Sequence, residues 1–186
     1  MRHSAKPPFA ATPTAQAGGE SQVPAPRTLR FEARGGFPNS PLPVLVYRRL
    51  LAGSGEELAT AFETLFARHR WPPQWRYGLY DFDHFHSTAH EALGVFSGDA
   101  HIRLGGPQGD ELDIAAGDVL VLPAGTGHAC LQASGDFEMV GAYPPGQVWE
   151  VERGDPAQLA AAQARVARVE LPADDPVGGE LLSLWR

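Results

Sequence analysis

Residues 83–91 read Asp83-His84-Phe85-His86-Ser87-Thr88-Ala89-His90-Glu91, three histidines flanked by two carboxylates. Side chains of these types bind divalent metals or move protons. In an extended segment, side chains two apart project from the same face, so His84 and His86 form a two-toothed clamp. Glu91 follows after a short gap that can turn a corner and bring a carboxylate to the same point. His128 comes from a later segment as a fourth candidate. Three imidazoles and one carboxylate suit a borderline divalent ion. On an octahedral ion, four protein ligands leave two positions open to water, substrate or dioxygen.

The spacing is more specific than the residue types. Gly78, five residues, His84, one residue, His86, four residues, Glu91, six residues and Gly98 match the first signature of the cupin superfamily. Gly117, five residues, Pro123, one residue, Gly125, two residues and His128 match the second, with Gln132 where Asn is usual. Two multi-position motifs in the right order carry far more weight than either alone. The chain therefore resembles the cupins, and at closer range the YjlB-like single-domain cupins. That likeness runs from about Val44 to Trp185, through Trp71, Trp75, HFHSTAHE, GGPQG, GDVLVLPAGTGH, VGAYPPG and the closing DP…W.

The resemblance implies an all-β cupin double-stranded β-helix, a small barrel of two facing antiparallel sheets, with one or two peripheral helices. It implies one divalent metal (Fe, Mn, Ni, Co or Zn) held near the barrel mouth by His84, His86, Glu91 and His128. His90 remains an alternative ligand or a partner behind the ligands, because at a corner either it or Glu91 can turn inward. The family likeness sharpens the fold and leaves the reaction open.

The elements that must position these groups follow from patterning. Residues 1–27 are rich in Ala, Pro, Ser, Thr and Gly and read as a flexible tail that includes His3. Residues 28–186 read as one domain. Leu29, Phe31 and Ala33 alternate with charged residues as a half-buried strand, and 43–47 reads as a second. Ser54 with Glu57 reads as a capping box opening a helix to about His69, whose Leu58, Phe62, Leu65 and Phe66 lie at helical spacing. Parity puts Tyr80 and Phe82 on the face of His84 and His86, either walling a pocket or filling the core. Leu93–Phe96 and Ala100–Leu104 read as two strands around a tight turn. Residues 111–114, 119–122 and 137–143 read as further strands; His101 lies on a solvent-facing parity. Cys130 and Gln132 share the parity of His128 and are expected to face the cavity. Asp155-Pro156 opens a helix to about Arg168. The extended tail beyond it ends in Leu181, Leu182, Leu184 and Trp185, which can dock on the domain or on a second subunit.

The 186 residues suffice for one core. A formal charge of −7, without clustered Lys and Arg, argues against nucleic acid and toward a small-molecule ligand or substrate. The single cysteine excludes an internal disulfide and fits a reducing compartment. No apolar run is long enough for a membrane span, so a cytoplasmic protein is expected, with a homodimer as its assembly. The functional expectation is a metal-dependent oxidoreductase, a dioxygenase for instance, or an isomerase acting on a small polar metabolite. Tyr80, Tyr143 and Cys130 are the first places to look for acid–base help. The alternatives are a non-catalytic module that binds or senses a small ligand, and a structural subunit.

Overall fold

The computed structural model describes residues 23–186. A six-stranded antiparallel sheet has the order β1 (Arg27–Leu29), β2 (Val44–Tyr47), β7 (Val119–Leu122), β4 (Glu91–Ser97), β9 (Glu138–Ala142) and β3 (Pro73–Tyr77). A three-stranded antiparallel sheet has the order β6 (Asp110–Ala115), β5 (Asp99–Leu104) and β8 (His128–Ala133). His3 and most of the expected tail lie outside the described residues. Of the rest of that tail, Val23 packs against the core and Arg27 already pairs with Val46.

The large sheet is buried on both faces from β2 through β9, with β1 and β3 as part-exposed edges, which explains the unbroken apolar runs of β2 and β7. Val44, Val46, Leu93, Val95, Leu120 and Leu122 point into the barrel and meet Ile102, Leu104 and Ile114 of the small sheet. Their alternates, Leu45, Tyr47, Ala92, Val119 and Val121, face outward into a second core. Helix α1 (Glu56–Arg68) covers that core with Leu58, Phe62 and Phe66. The expected capping box is not formed: Gly55 is the N-cap, with φ 71°, and no side chain caps the helix. Its backbone N–H instead donates to the Phe96 carbonyl at 2.6 Å, so packing on β4 replaces the local cap. Glu56 and Glu63 of α1 also hold Arg76 of β3, at 2.8 and 2.6 Å.

A Cβ at Gly94 of β4 would lie 2.8 Å from Phe62 Cγ. The glycine is what lets α1 approach the sheet, and Gly94→Ala is expected to cost about 1–3 kcal/mol of stability by overpacking. Urea unfolding monitored by circular dichroism reads this directly. A variant as stable as the parent would show that the helix is free to slide.

β4 and β5 are not partners across a hairpin, as the sequence pattern led us to expect. At Gly98 (φ 65°) the chain passes from the large sheet to the small one; β4 pairs with β7 and β9, whereas β5 pairs with β6 and β8. Consecutive apolar strands look alike in sequence whether they pair or change sheets.

After β9, Asp155 accepts from Ala157 N at 2.9 Å and caps a short 3-10 turn (Pro156–Gln158) that leads into α2 (Leu159–Val166). The C-terminal helix α3 (Leu181–Leu184) and Trp185 dock on the chain's own outer core, where Trp185 Nε1 donates to the Pro43 carbonyl at 2.8 Å. Among the described residues no helix is long and apolar enough to cross a membrane.

Candidate metal centre

His84 and His86 lie in an extended segment gripped from both sides. His84 exchanges two backbone hydrogen bonds with His128 (3.1 and 2.9 Å), and Phe85 exchanges two with Glu152 (2.9 and 3.0 Å). The alternation expected of a clamp is realised. Both imidazoles face the barrel, while Phe85 points outward against Phe37 and Ala162. Helix α2 braces this segment, because Arg165 donates to Ser87 Oγ and to Glu152, each at 2.7 Å.

Glu91, the first residue of β4, shares the inward parity of Leu93 and Val95. His90 therefore faces the other way, and the structure resolves the choice between them. The His90 ring packs 4.8 Å from Trp185 in the outer core, and its Nδ1 accepts from Ala124 N at 2.9 Å. It is buried on the outer side of the strand, away from the other three histidines, and its Nε2 has no hydrogen-bond partner. Burial pushes its pKa down to about 4, so it is neutral at ordinary pH.

The Nε2 and carboxylate atoms converge on one point. His84, His86 and His128 each offer a nitrogen, all within 4.8 Å of one another. Glu91 Oε2 lies 3.4 Å from His128 Nε2 and 3.5 Å from His86 Nε2. Two ligands on one ion with bonds of ~2.1 Å stand roughly 3.0–3.4 Å apart, close to the spacing of Glu91 Oε2 from these two rings. The opposite edges of the rings are held by the backbone: His84 Nδ1 bonds the Phe82 carbonyl (3.1 Å), His128 Nδ1 the Thr126 carbonyl (2.9 Å) and His86 Nδ1 the Glu150 carbonyl. A carbonyl only accepts, so each Nδ1 carries the proton and each neutral ring presents its Nε2 lone pair to the centre.

The electrostatics favour the neutral ring for His128 and His84, and the charged ring for His86. Burial drives His128 well below its usual pKa and lowers His84. Burial acts on His86 in the same direction and is the largest single cause, but the charge and hydrogen bond of Glu91, together with the carbonyl and charge of Glu150, outweigh it and raise this one ring. For Glu91, burial alone would raise the carboxyl; His86 and His128 overcome it and keep the carboxylate ionised. Even so, His128 Nε2 and Glu91 Oε2 are buried without a hydrogen-bond partner. Buried donors and acceptors are ordinarily satisfied, and His90 Nε2, on the outer side of the strand, is a third atom left without a partner. The donor set fits a borderline divalent metal.

Glu91 Oε1, the other oxygen, accepts from Tyr143 OH at 2.5 Å, and Tyr143 OH in turn accepts from Trp75 Nε1 at 2.9 Å. The indole can only donate, so the relay has one direction and leaves Glu91 Oε2 as the free acceptor. Burial, and then the Glu91 charge, push the Tyr143 phenol above its ordinary pKa, so it stays protonated. Tyr143→Phe is expected to weaken metal binding ~10–100-fold, the usual cost of losing a group that orients a ligand. Competition against a calibrated chelator measures this, and an unchanged affinity would show that Glu91 needs no clamp.

A cavity of about 380 Å³ opens above the four side chains, walled by Trp75, Leu79, Tyr80, Tyr143 and Trp149. Tyr80 is a rim residue, 41% exposed, rather than core. Three expected pocket residues lie elsewhere. Phe82 stacks on the Tyr80 ring, with the Arg153 guanidinium 3.6 Å over it. Cys130 packs inside the barrel with Ile102 and Leu104, and burial raises its thiol pKa, so it is an unreactive core thiol. Gln132 is exposed because β8 carries a bulge: Ile102 pairs with Cys130 and His101 with Gln132, leaving Leu131 extra and reversing the parity. His101 is on the outer face as expected, bonded to Asp113 (2.8 Å) and Glu111 (3.0 Å).

Trp75, Trp149 and the Glu150 carbonyl were not among the expected site groups. Trp149 and Glu150 lie in a loop without periodicity and left no signal. For Trp75 a signal existed, since Gly141 interrupts an apolar strand where a Cβ would sit 2.0 Å from the Trp75 ring. A glycine inside a strand marks a close approach of this sort.

No family model matches the chain. It is, however, 36% identical over 163 residues to the uncharacterized protein YjlB of Bacillus subtilis (strain 168), an alignment covering 86% of this chain and 96% of that protein. The chain belongs to the YjlB family. Its two antiparallel sheets, with the histidine-bearing segments brought together, are the cupin-type fold that the two sequence signatures led us to expect of this YjlB-family chain. Looser likenesses exist to solved structures. A DUF861 family protein from Thermotoga maritima is 15% identical, with a TM-score of 0.33 over 53% of this chain and 96% of that one. Procruciferin, the 11S globulin of Brassica napus, is 15% identical, with a TM-score of 0.37 over 72% of this chain and 37% of that one. The assignment of this YjlB-family chain rests on its relative and its strand pairing, and these overlaps add nothing to it.

Proposed function

We propose that His84, His86, Glu91 and His128 hold one divalent metal, and that the cavity above it binds a small molecule for metal-dependent chemistry. The observation that carries this is convergence: His84, His86 and His128 bring nitrogens within 4.8 Å of one another, Glu91 Oε2 lies 3.4 Å from His128 and 3.5 Å from His86, and the other ring nitrogens are fixed by carbonyls.

When bound, the ion supplies a Lewis acid and template, or a site for activating dioxygen. The protein's contribution is to fix the tautomers, present one carboxylate oxygen and close the site against water on all sides but the mouth. The Tyr143 hydroxyl is committed to Glu91 and Trp75, and Cys130 is outside the cavity, so neither is free for proton transfer. Isomerisation needs a base and an acid beside the substrate. Tyr80 supplies one such group at the rim, so the wall is compatible with the oxidoreductase and the isomerase readings alike.

Elemental analysis of untagged protein purified without chelators tests the metal. About one Fe, Mn, Ni, Co or Zn per chain is expected, and oxygen consumption with candidate substrates then tests the redox reading. Metal-replete protein that binds small ligands without turnover would leave a binding module, and failure to take up any of these ions would remove the proposal.

A further inference from the structure

Resting on the metal reading above, the composition of the cavity wall goes on to define the ligand. We infer that the site takes a neutral, flat, apolar or aromatic molecule whose only strongly polar group is a metal-chelating head, not the small polar metabolite expected from sequence.

The wall is aromatic where a polar ligand would need donors. Tyr143 and Trp149 form a stacked pair with ring centroids 5.7 Å apart and planes 18° from parallel. Trp149 stands edge-on to His86 at 5.8 Å, and Tyr80 stands edge-on to His84 at 5.0 Å. A ligand reaching the metal set therefore passes between the Tyr143–Trp149 pair and Tyr80. Flat π-faces contribute through offset or edge contacts with another ring, and little to a charged chain.

The polar groups of this wall are already used. Tyr143 is held by Glu91 and Trp75, and Trp149 Nε1 donates to Gln74 Oε1 at 3.2 Å. Among the described residues Arg76 is the one Lys or Arg lining the cavity, and its guanidinium is taken by Glu63 and Glu56 of α1. The described walls therefore leave no free Lys or Arg for a second carboxylate or a phosphate. Among the described residues, the side-chain hydroxyls lining the cavity without a protein partner belong to the rim residues Tyr77 and Tyr80. Between those rim hydroxyls and the histidine end, the wall offers a ligand no free side-chain polar group among the described residues. A volume of about 380 Å³ lies at the small end of the range for ligand sites and accommodates a single-ring compound.

The test loads the protein with Co(II) and follows its visible absorption during titration with acetohydroxamate or benzohydroxamate, each normalised to its affinity for free Co(II). The two probes share a chelating head and differ in a flat ring. Benzohydroxamate is expected to bind roughly tenfold tighter or better. Trp149→Ala should narrow that ratio to below about threefold while leaving the Co(II) stoichiometry intact. Trp149 is half-buried and outside the ligand set, so its loss should be tolerated, and the comparison within the unmodified protein does not depend on the variant. Co(II) uptake with equal affinity for both probes would overturn this inference and leave the metal reading standing. Absence of Co(II) uptake would overturn both.

Discussion

Adding a saturating divalent ion to metal-free protein is expected to raise its melting temperature by about 5–10 °C, and His128→Ala is expected to abolish the rise. The magnitude follows from mass action. An ion at a hundred times its dissociation constant stabilises the folded state by about 2.7 kcal/mol, and each kcal/mol moves the midpoint of a chain this size by about 2–4 °C. The direction follows from the orphans: without an ion, His128 Nε2 and Glu91 Oε2 are buried and unpaired, a cost the ion removes. His128→Ala removes the most buried donor nitrogen along with one orphan, so the metal-free variant should melt close to the metal-free parent. Scanning calorimetry with and without metal reads both quantities. A His128→Ala protein that keeps the metal-dependent rise would place the ion somewhere other than among these four side chains.

Trp185→Ala is expected to cost about 3–5 kcal/mol. The indole is 1% exposed, closes the outer core beside Leu181, and satisfies the Pro43 carbonyl. Truncation empties a large volume that the rigid sheet cannot refill, and it strands a buried acceptor. Urea denaturation gives the value. A loss below about 1 kcal/mol would mean that the C-terminal residues rest on the surface without closing the core.

Much of this was legible in the chain because each signal was local. The two-residue spacing of His84 and His86 needs only an extended backbone, and the apolar runs of β2 and β7 need only burial on both faces. Asp155-Pro156 encodes its own helix start. The failures came where distant chain decides. Ser54 and Glu57 spell a capping box, yet the packing of Gly55 against Phe96 outweighs it. Parity carried His128 to Cys130 correctly and then failed at Gln132, since the Leu131 bulge is set by the partner strand β5. His90 and Glu91 could be separated only once β4 was known to begin at Glu91. The aromatic wall was the least legible part, because Trp149 comes from a loop whose path no periodicity encodes.

The outer core also has a consequence for synthesis on the ribosome. Trp185 bonds a carbonyl 142 residues earlier in the chain, and Asp175 receives the Tyr47 hydroxyl from 128 residues earlier. At ~5–20 residues per second, β2 emerges roughly 7–28 s before the tryptophan that will seal it. Throughout that interval the outward faces of Leu45 and Tyr47 are sticky nascent chain, a substrate for chaperones. A chain that ended shortly before Trp185 would carry His84, His86, Glu91 and His128 in full and leave the part of the outer core that Trp185 closes open to aggregation.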